Sequence, residues 1–293
     1  MRRRKMTALL AAGAVGLTLT ACGAADDADV VDEPTAAGSA PAGDVDEAAV
    51  EPVVVEDLVA LSEQMAAAQA EHPTVHVESG VGGDAAEEAG MGEFTQSADI
   101  VLAEKFEDMR MRMTMDMMGL SMEALLVDST MYMDMSAMSG GEVGYVSIDL
   151  EDLEDEPGMA GALDTLDSAD AAAQAEAVAD AVQSFEHTGT ETVDGQEVEV
   201  YTATIDPTLA SDPASLGLDQ EMLDEMARTT MDMVFRVTED GLPTSIDIVM
   251  EIEGQEFVAT TAYSDWGEDV TVEAPPASKV TPYDEAMGAG AGA

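Results

Sequence analysis

Methionine is the residue whose number and spacing most invite a chemical reading. There are 22 among 293 residues, and Met109, Met111, Met113, Met115 and Met117 fall on alternate positions. Met131 with Met133, and Met231 with Met233, repeat the step. A file of soft thioethers could hold Cu(I). The same side chain is also an unbranched apolar group that repacks around irregular neighbours. Copper sites of this kind draw on histidine as well, and His72, His76 and His187 all lie outside the methionine runs. Met-x-Met is moreover what results when methionine serves as the apolar residue of an alternating strand. Neither a metal nor a cofactor is therefore expected. The single cysteine, Cys22, allows no internal disulfide, no paired-thiol redox motif and no thiolate zinc site. There is no Gly-x-Ser-x-Gly elbow, no His-Glu-x-x-His pair and no phosphate-cradling glycine loop. With 62 Asp and Glu some carboxylates must approach each other, yet no spacing singles out an acid–base dyad. Aromatics at 4% leave few platforms for a sugar ring. Catalysis is not expected.

The charge balance narrows the partners. Ten bases oppose the 62 acids, a formal net charge of −52. Residues 1–21 hold four of those bases and no acid, so without them six bases face 62 acids, a net −56. A surface so negative repels phosphate backbones and excludes nucleic-acid binding. An apolar content of 46% is nevertheless enough to bury a core.

Arg2-Arg3-Arg4-Lys5, the apolar stretch Met6–Thr20 and the sequence Leu19-Thr20-Ala21-Cys22 resemble the signal peptide and lipobox of bacterial lipoproteins. The apolar stretch is too short for an ordinary transmembrane helix. The resemblance implies cleavage before Cys22, acylation of its thiol and new amino group, and anchoring to the outer face of the plasma membrane. At about 0.8 kcal/mol per buried CH₂, several acyl chains on one residue hold firmly. Residues 22–52, rich in Ala, Gly, Pro, Asp and Glu and free of bases, are expected to form an acidic disordered tether.

From Val53 the pattern is that of a folded domain, expected over residues 53–280. Val55, Leu58, Val59, Leu61, Ser62 and Met65 recur at helical intervals and His72-Pro73 closes the series, predicting a helix over 55–71. Period-two alternation then dominates, from Ile100 and Leu102 through the methionine runs to Phe257, Ala259, Thr261 and Tyr263. Asp194-Gly195, Asp240-Gly241 and Glu253-Gly254 join alternating runs as hairpin turns do. An Ala-rich helix is expected at 167–183 and a short one at 219–228. Few helices within a meander of roughly ten strands predict an α+β fold, a large curved antiparallel sheet with one apolar and one wet face, covered on the apolar face by those helices. Residues 281–293 read as a disordered tail.

Several short motifs then align with a known family. They are the lipobox, Met-x-Met after Lys105-Phe106, Gly-x-x-x-Glu-Ala-Leu-Leu-Val at 119–127, Thr-Val-Asp-Gly-Gln-Glu-Val-x-Val-Tyr at 192–201, Glu-Asp-Gly-Leu-Pro at 239–243 and Tyr-Ser-Asp-Trp-Gly at 263–267. In this order they resemble the actinobacterial LppX/LprG type of lipoprotein, which is similar in fold to the lipid carrier LolA. The resemblance implies a half-barrel enclosing a hydrophobic cavity. It also implies a lipid or acylated glycolipid as ligand, carried from the plasma membrane into the envelope, with an envelope transporter as a further partner. A 16-carbon chain loses about 12 kcal/mol if drawn bare into water, so any such carrier must offer an apolar enclosure. On this reading Met111, Met113, Met115, Met131, Met133, Met231, Met233, Phe235 and Ile248 line it. The alternatives are a structural or partner-binding lipoprotein whose core these residues simply fill, and a Cu(I)-binding protein.

Overall fold

The computed structural model describes residues 55–89, 94–103, 105–117, 120–139, 141, 144–150, 179–209, 229–252, 254–283 and 285–286. The expected signal peptide, Cys22, the tether, the helix at 219–228 and most of the helix at 167–183 lie outside these residues.

Helix α1 (Leu58–Glu71) is set by Asp57, whose carboxylate accepts from the Ala60 amide at 2.8 Å. It stops at His72, whose amide bonds back to the Gln69 carbonyl before Pro73. Twelve strands then form one sheet. The first six are β1 (Thr74–Gly82), β2 (Thr95–Val101), β3 (Arg110–Met117), β4 (Leu120–Val127), β5 (Thr130–Asp134) and β6 (Tyr145–Asp149). The second six are β7 (Val182–Val193), β8 (Gln196–Ile205), β9 (Met231–Thr238), β10 (Pro243–Ile252), β11 (Gln255–Ser264) and β12 (Val280–Pro282). Short helices α2 (Asp84–Ala89) and α3 (Ser136–Ser139) interrupt the series.

The spatial order is β12-β6-β5-β4-β3-β2-β1-β11-β10-β9-β8-β7. Two antiparallel meanders, β1 to β6 and β7 to β11, therefore meet where β1 pairs with β11. The expected α+β sheet is present, with three differences. It is mixed, because β12 runs parallel to β6. Residues 182–183, expected as helix, begin β7. Finally, β12 carries the sheet into residues 281–282, which composition alone placed in the tail.

Turn chemistry accounts for the hairpins. Asp194 and Gly195 both take positive φ, 52° and 88°, between β7 and β8, the twist-matching geometry of two-residue hairpins. Asp128 and Ser129 do the same between β4 and β5, at 50° and 59°, without a glycine. Gly83, at φ 87°, closes β1 against β11, and a Cβ there would drive into the Glu256 carbonyl. Gly83→Ala is expected to lose about 1–3 kcal/mol of stability through that strain, readable as a shift in the urea midpoint.

The outer face is not wholly wet. Ala124, Leu125, Leu126 and Val127 are all buried, at 6, 4, 2 and 4% exposure, so β4 has no wet side along this stretch. On the outer side Leu125 and Val127 cluster with Val272, and Tyr132, Tyr145 and Val270 pack against them. The segment leading from β11 towards β12 thus acts as a strap, and a continuous apolar run replaces alternation where it passes.

Candidate functional site

Strand register assembles the methionines into rows. One row across the sheet is Val75, Ile100, Met111, Leu126, Met131 and Ile148, each directly opposite the next. The adjacent row is Val77, Ala98, Met113, Ala124, Met133 and Val146. Met115 lies opposite Met122 one step further on. The same face continues from Val77 to Tyr263 on β11, from Ala259 to Ile248 on β10, and on to Met233. Phe235 and Met231 flank Met233 on β9. All nine nominated residues therefore share one face, which period-two spacing requires once the registers are fixed.

They do not share one environment. Over β8 to β10 the face is closed by α1: Leu61 and Met65, both at 0% exposure, pack with Met231, Met233, Phe235, Tyr201 and Ile205, while Ile248 sits at the edge half-buried. Over β3 to β5, Met111, Met113, Met115, Met131 and Met133 are only half-buried. Met111 and Met113 pack against a smaller cluster of Val75, Val77, Ala98 and Ile100. Tyr263 touches both clusters and stacks on Trp266, centroids 6.0 Å apart. Trp266 is itself fixed by an Nε1–H bond to the Pro243 carbonyl at 3.0 Å. Burial drives the Tyr263 phenol well above its ordinary pKa, as an apolar setting does.

Exposure also changes along the strands. On β4 the inner-facing residues run from Leu126 at 2% and Ala124 at 6%, through half-buried Met122, to Leu120 at 53%. On β1, Val75 and Val77 are buried whereas Ser79 and Val81 are half-buried. The inner face thus opens towards the end that holds the β3–β4 connection. There the apolar rows give way to a polar one, in which Ser79 stands opposite both Gln96 and Thr261. The Ser79 hydroxyl donates to Thr261 Oγ1 at 3.2 Å. Sequence reading put Thr261 in the apolar series of β11 and did not single out Ser79 or Gln96, because one polar residue on each of three strands becomes a row only once the registers are fixed.

The charged groups sit elsewhere. His76 is on the outer face, its Nδ1 2.7 Å from Asp99 Oδ1, so it cannot join the methionine rows. His187 is beside Tyr201 at the far side of the inner face and is bound to the buried Glu199. Arg236 bridges Glu191 and Asp247 across the outer face at 2.8 and 2.6 Å. Among the described residues no three His, Cys, Asp or Glu gather as a metal site, and no described helix is long and apolar enough to cross a membrane.

One outer-face pair gives a titration signature. The Tyr145 hydroxyl donates to Glu123 at 2.6 Å, and that bond to a carboxylate, with burial second, pushes the phenol up to about 12. A phenol whose pKa is raised on folding stabilises the fold fully below its unfolded value near 10, and that contribution disappears as pH climbs through the folded value. Spectrophotometric titration at phenolate wavelengths is expected to show one tyrosine fewer ionising late in the Tyr145→Phe variant.

No family model matches the chain, and no curated relative matches it in sequence. Solved structures do. The lipoprotein LppX of Mycobacterium tuberculosis superposes over 73% of this chain and 97% of its own, with 15% identity and a TM-score of 0.44. LprF of Mycobacterium bovis covers 74% and 96%, at 18% identity and a TM-score of 0.45. A LolA superfamily protein of Nitrosomonas europaea covers 72% and 94%, at 12% identity and a TM-score of 0.24. The lipoprotein type that the sequence motifs resemble is thus represented among these likenesses.

Proposed function

We propose that the chain is a lipid-binding carrier, tethered through acylated Cys22 to the outer face of the plasma membrane, that takes a lipid or acylated glycolipid onto its inner face. It would carry that guest towards the envelope and hand it to an envelope transporter. The observation that supports this is the half-buried state of Met111, Met113, Met115, Met131 and Met133, aligned in register on the apolar face of the sheet. Apolar side chains left half-covered in a continuous row gain about 25 cal/mol per Å² when an acyl chain covers them, and thioethers adapt to its irregular shape. The acidic tether and −56 net charge keep the domain soluble and away from anionic headgroups between encounters.

The filled-core reading has its own support on the other half of the face. Met231, Met233 and Phe235, at 5, 4 and 3% exposure beneath Leu61 and Met65, form a packed interior, so the guest belongs over β3 to β5. Native mass spectrometry of the full chain purified from its own host is expected to show a lipid adduct that organic extraction removes. Adduct-free protein, with added diacyl lipid also failing to bind, would leave only an anchored scaffold.

A further inference from the structure

Resting on the carrier reading, we infer that the guest lies with its acyl chains against the methionine rows and an uncharged, hydroxyl-bearing headgroup at the polar row Gln96–Ser79–Thr261. Register puts this row one step above Val77, Ala98 and Tyr263. On the other side it leads through Gln96 to Met115 and Met122. All three polar side chains are half-buried, at the end where exposure on β4 rises to 53% at Leu120. An amphiphile that buries its chains on the deeper methionine rows brings its head to this end, where Gln96 stands directly opposite Met115 and begins the polar row. The Ser79–Thr261 bond satisfies one donor and one acceptor. The Thr261 hydroxyl proton, the Ser79 lone pairs and the Gln96 amide remain to engage a head that both gives and takes hydrogen bonds.

Charge decides between head classes. Among the described residues the inner face carries no Lys or Arg: Arg110, Arg112 and Arg236 alternate onto the outer face, and Lys105 and Lys279 lie outside the strands. The flank of the polar end is acidic instead. Helix α2, with Asp84, Glu87 and Glu88, follows β1 directly, and Glu88 accepts from Gln255 Nε2 on β11 at 2.9 Å. Among the described residues a phosphate-bearing head would find no Lys or Arg on this face to meet it, and it would approach from the strand end where the acidic helix α2 packs on β11, which opposes binding. A sugar or glycerol head meets no such opposition.

The test is competition, on the full chain, between a galactosyl diacylglycerol and a phosphatidylglycerol with identical acyl chains, read as adduct masses by native mass spectrometry. The galactosyl adduct is expected to exceed the phosphatidylglycerol adduct about ten-fold or more, and Gln96→Lys to move the ratio towards phosphatidylglycerol. Equal uptake of the two lipids, or a ratio that Gln96→Lys leaves unmoved, overturns the headgroup assignment while the carrier reading stands. If neither lipid binds, both fall together.

Discussion

Met65→Ala is expected to lower folding stability by about 2–5 kcal/mol, whereas Met113→Ala costs less than half as much. Met65 is at 0% exposure and packs, with Leu61, onto the sheet residues beneath α1. Truncating it leaves a cavity among side chains held by two layers, the case in which the loss of dispersion contacts adds to the lost transfer energy. Met113 already keeps part of its surface in water and has Ala98 and Ala124 as its cross-strand neighbours. Less contact exists there to lose. Urea unfolding of the two variants, compared at equal slope, measures the difference. Equal losses would mean that the β3 to β5 half is as tightly filled as the α1 half, and the proposed place for a guest would be gone.

That contrast marks where sequence ceased to be informative. Alternation of Met111, Met113 and Met115 with Arg112 and Thr114 fixes which side of the strand is apolar, and register then carries the assignment across to β9 and β10 without further information. Coverage is different. The 55–71 pattern announces an amphipathic helix, but nothing local says that Leu61 and Met65 land on Tyr201 and Phe235 instead of on the β3 methionines, because that choice is made by contacts distant along the chain. β1 was illegible for another reason: after Val75 and Val77 its alternation dissolves into Ser79-Gly80-Val81-Gly82, where small residues leave no pattern. The Asp128-Ser129 turn hid because its positive φ values fall on residues other than glycine. The strap over β4 hid because Val270 and Val272 form too short a pattern to signal an element, although the unbroken run Ala124 to Val127 is the trace it leaves on its partner.

Met113→Glu is expected to abolish lipid uptake, by ten-fold or more, while leaving the fold in place. The carboxylate would sit in the row between Ala98 and Ala124, with Met133 one strand further on. Covering it with an acyl chain would strip water from a charge that no Lys or Arg of the described residues on that face can meet, a penalty of several kcal/mol where each 1.4 kcal/mol is a factor of ten. Without a guest the same carboxylate reaches solvent through the half-open face, so thermal unfolding should shift little. Met233→Glu supplies the matching control. At 4% exposure under α1 its charge has no route to water, and the variant is expected to unfold or to fold only with the carboxylate protonated. Lipid adducts counted by native mass spectrometry, alongside melting curves, separate the two outcomes. A Met113→Glu protein that folds and still carries its lipid would place the acyl chains elsewhere, and with them the headgroup row at Ser79 and Thr261.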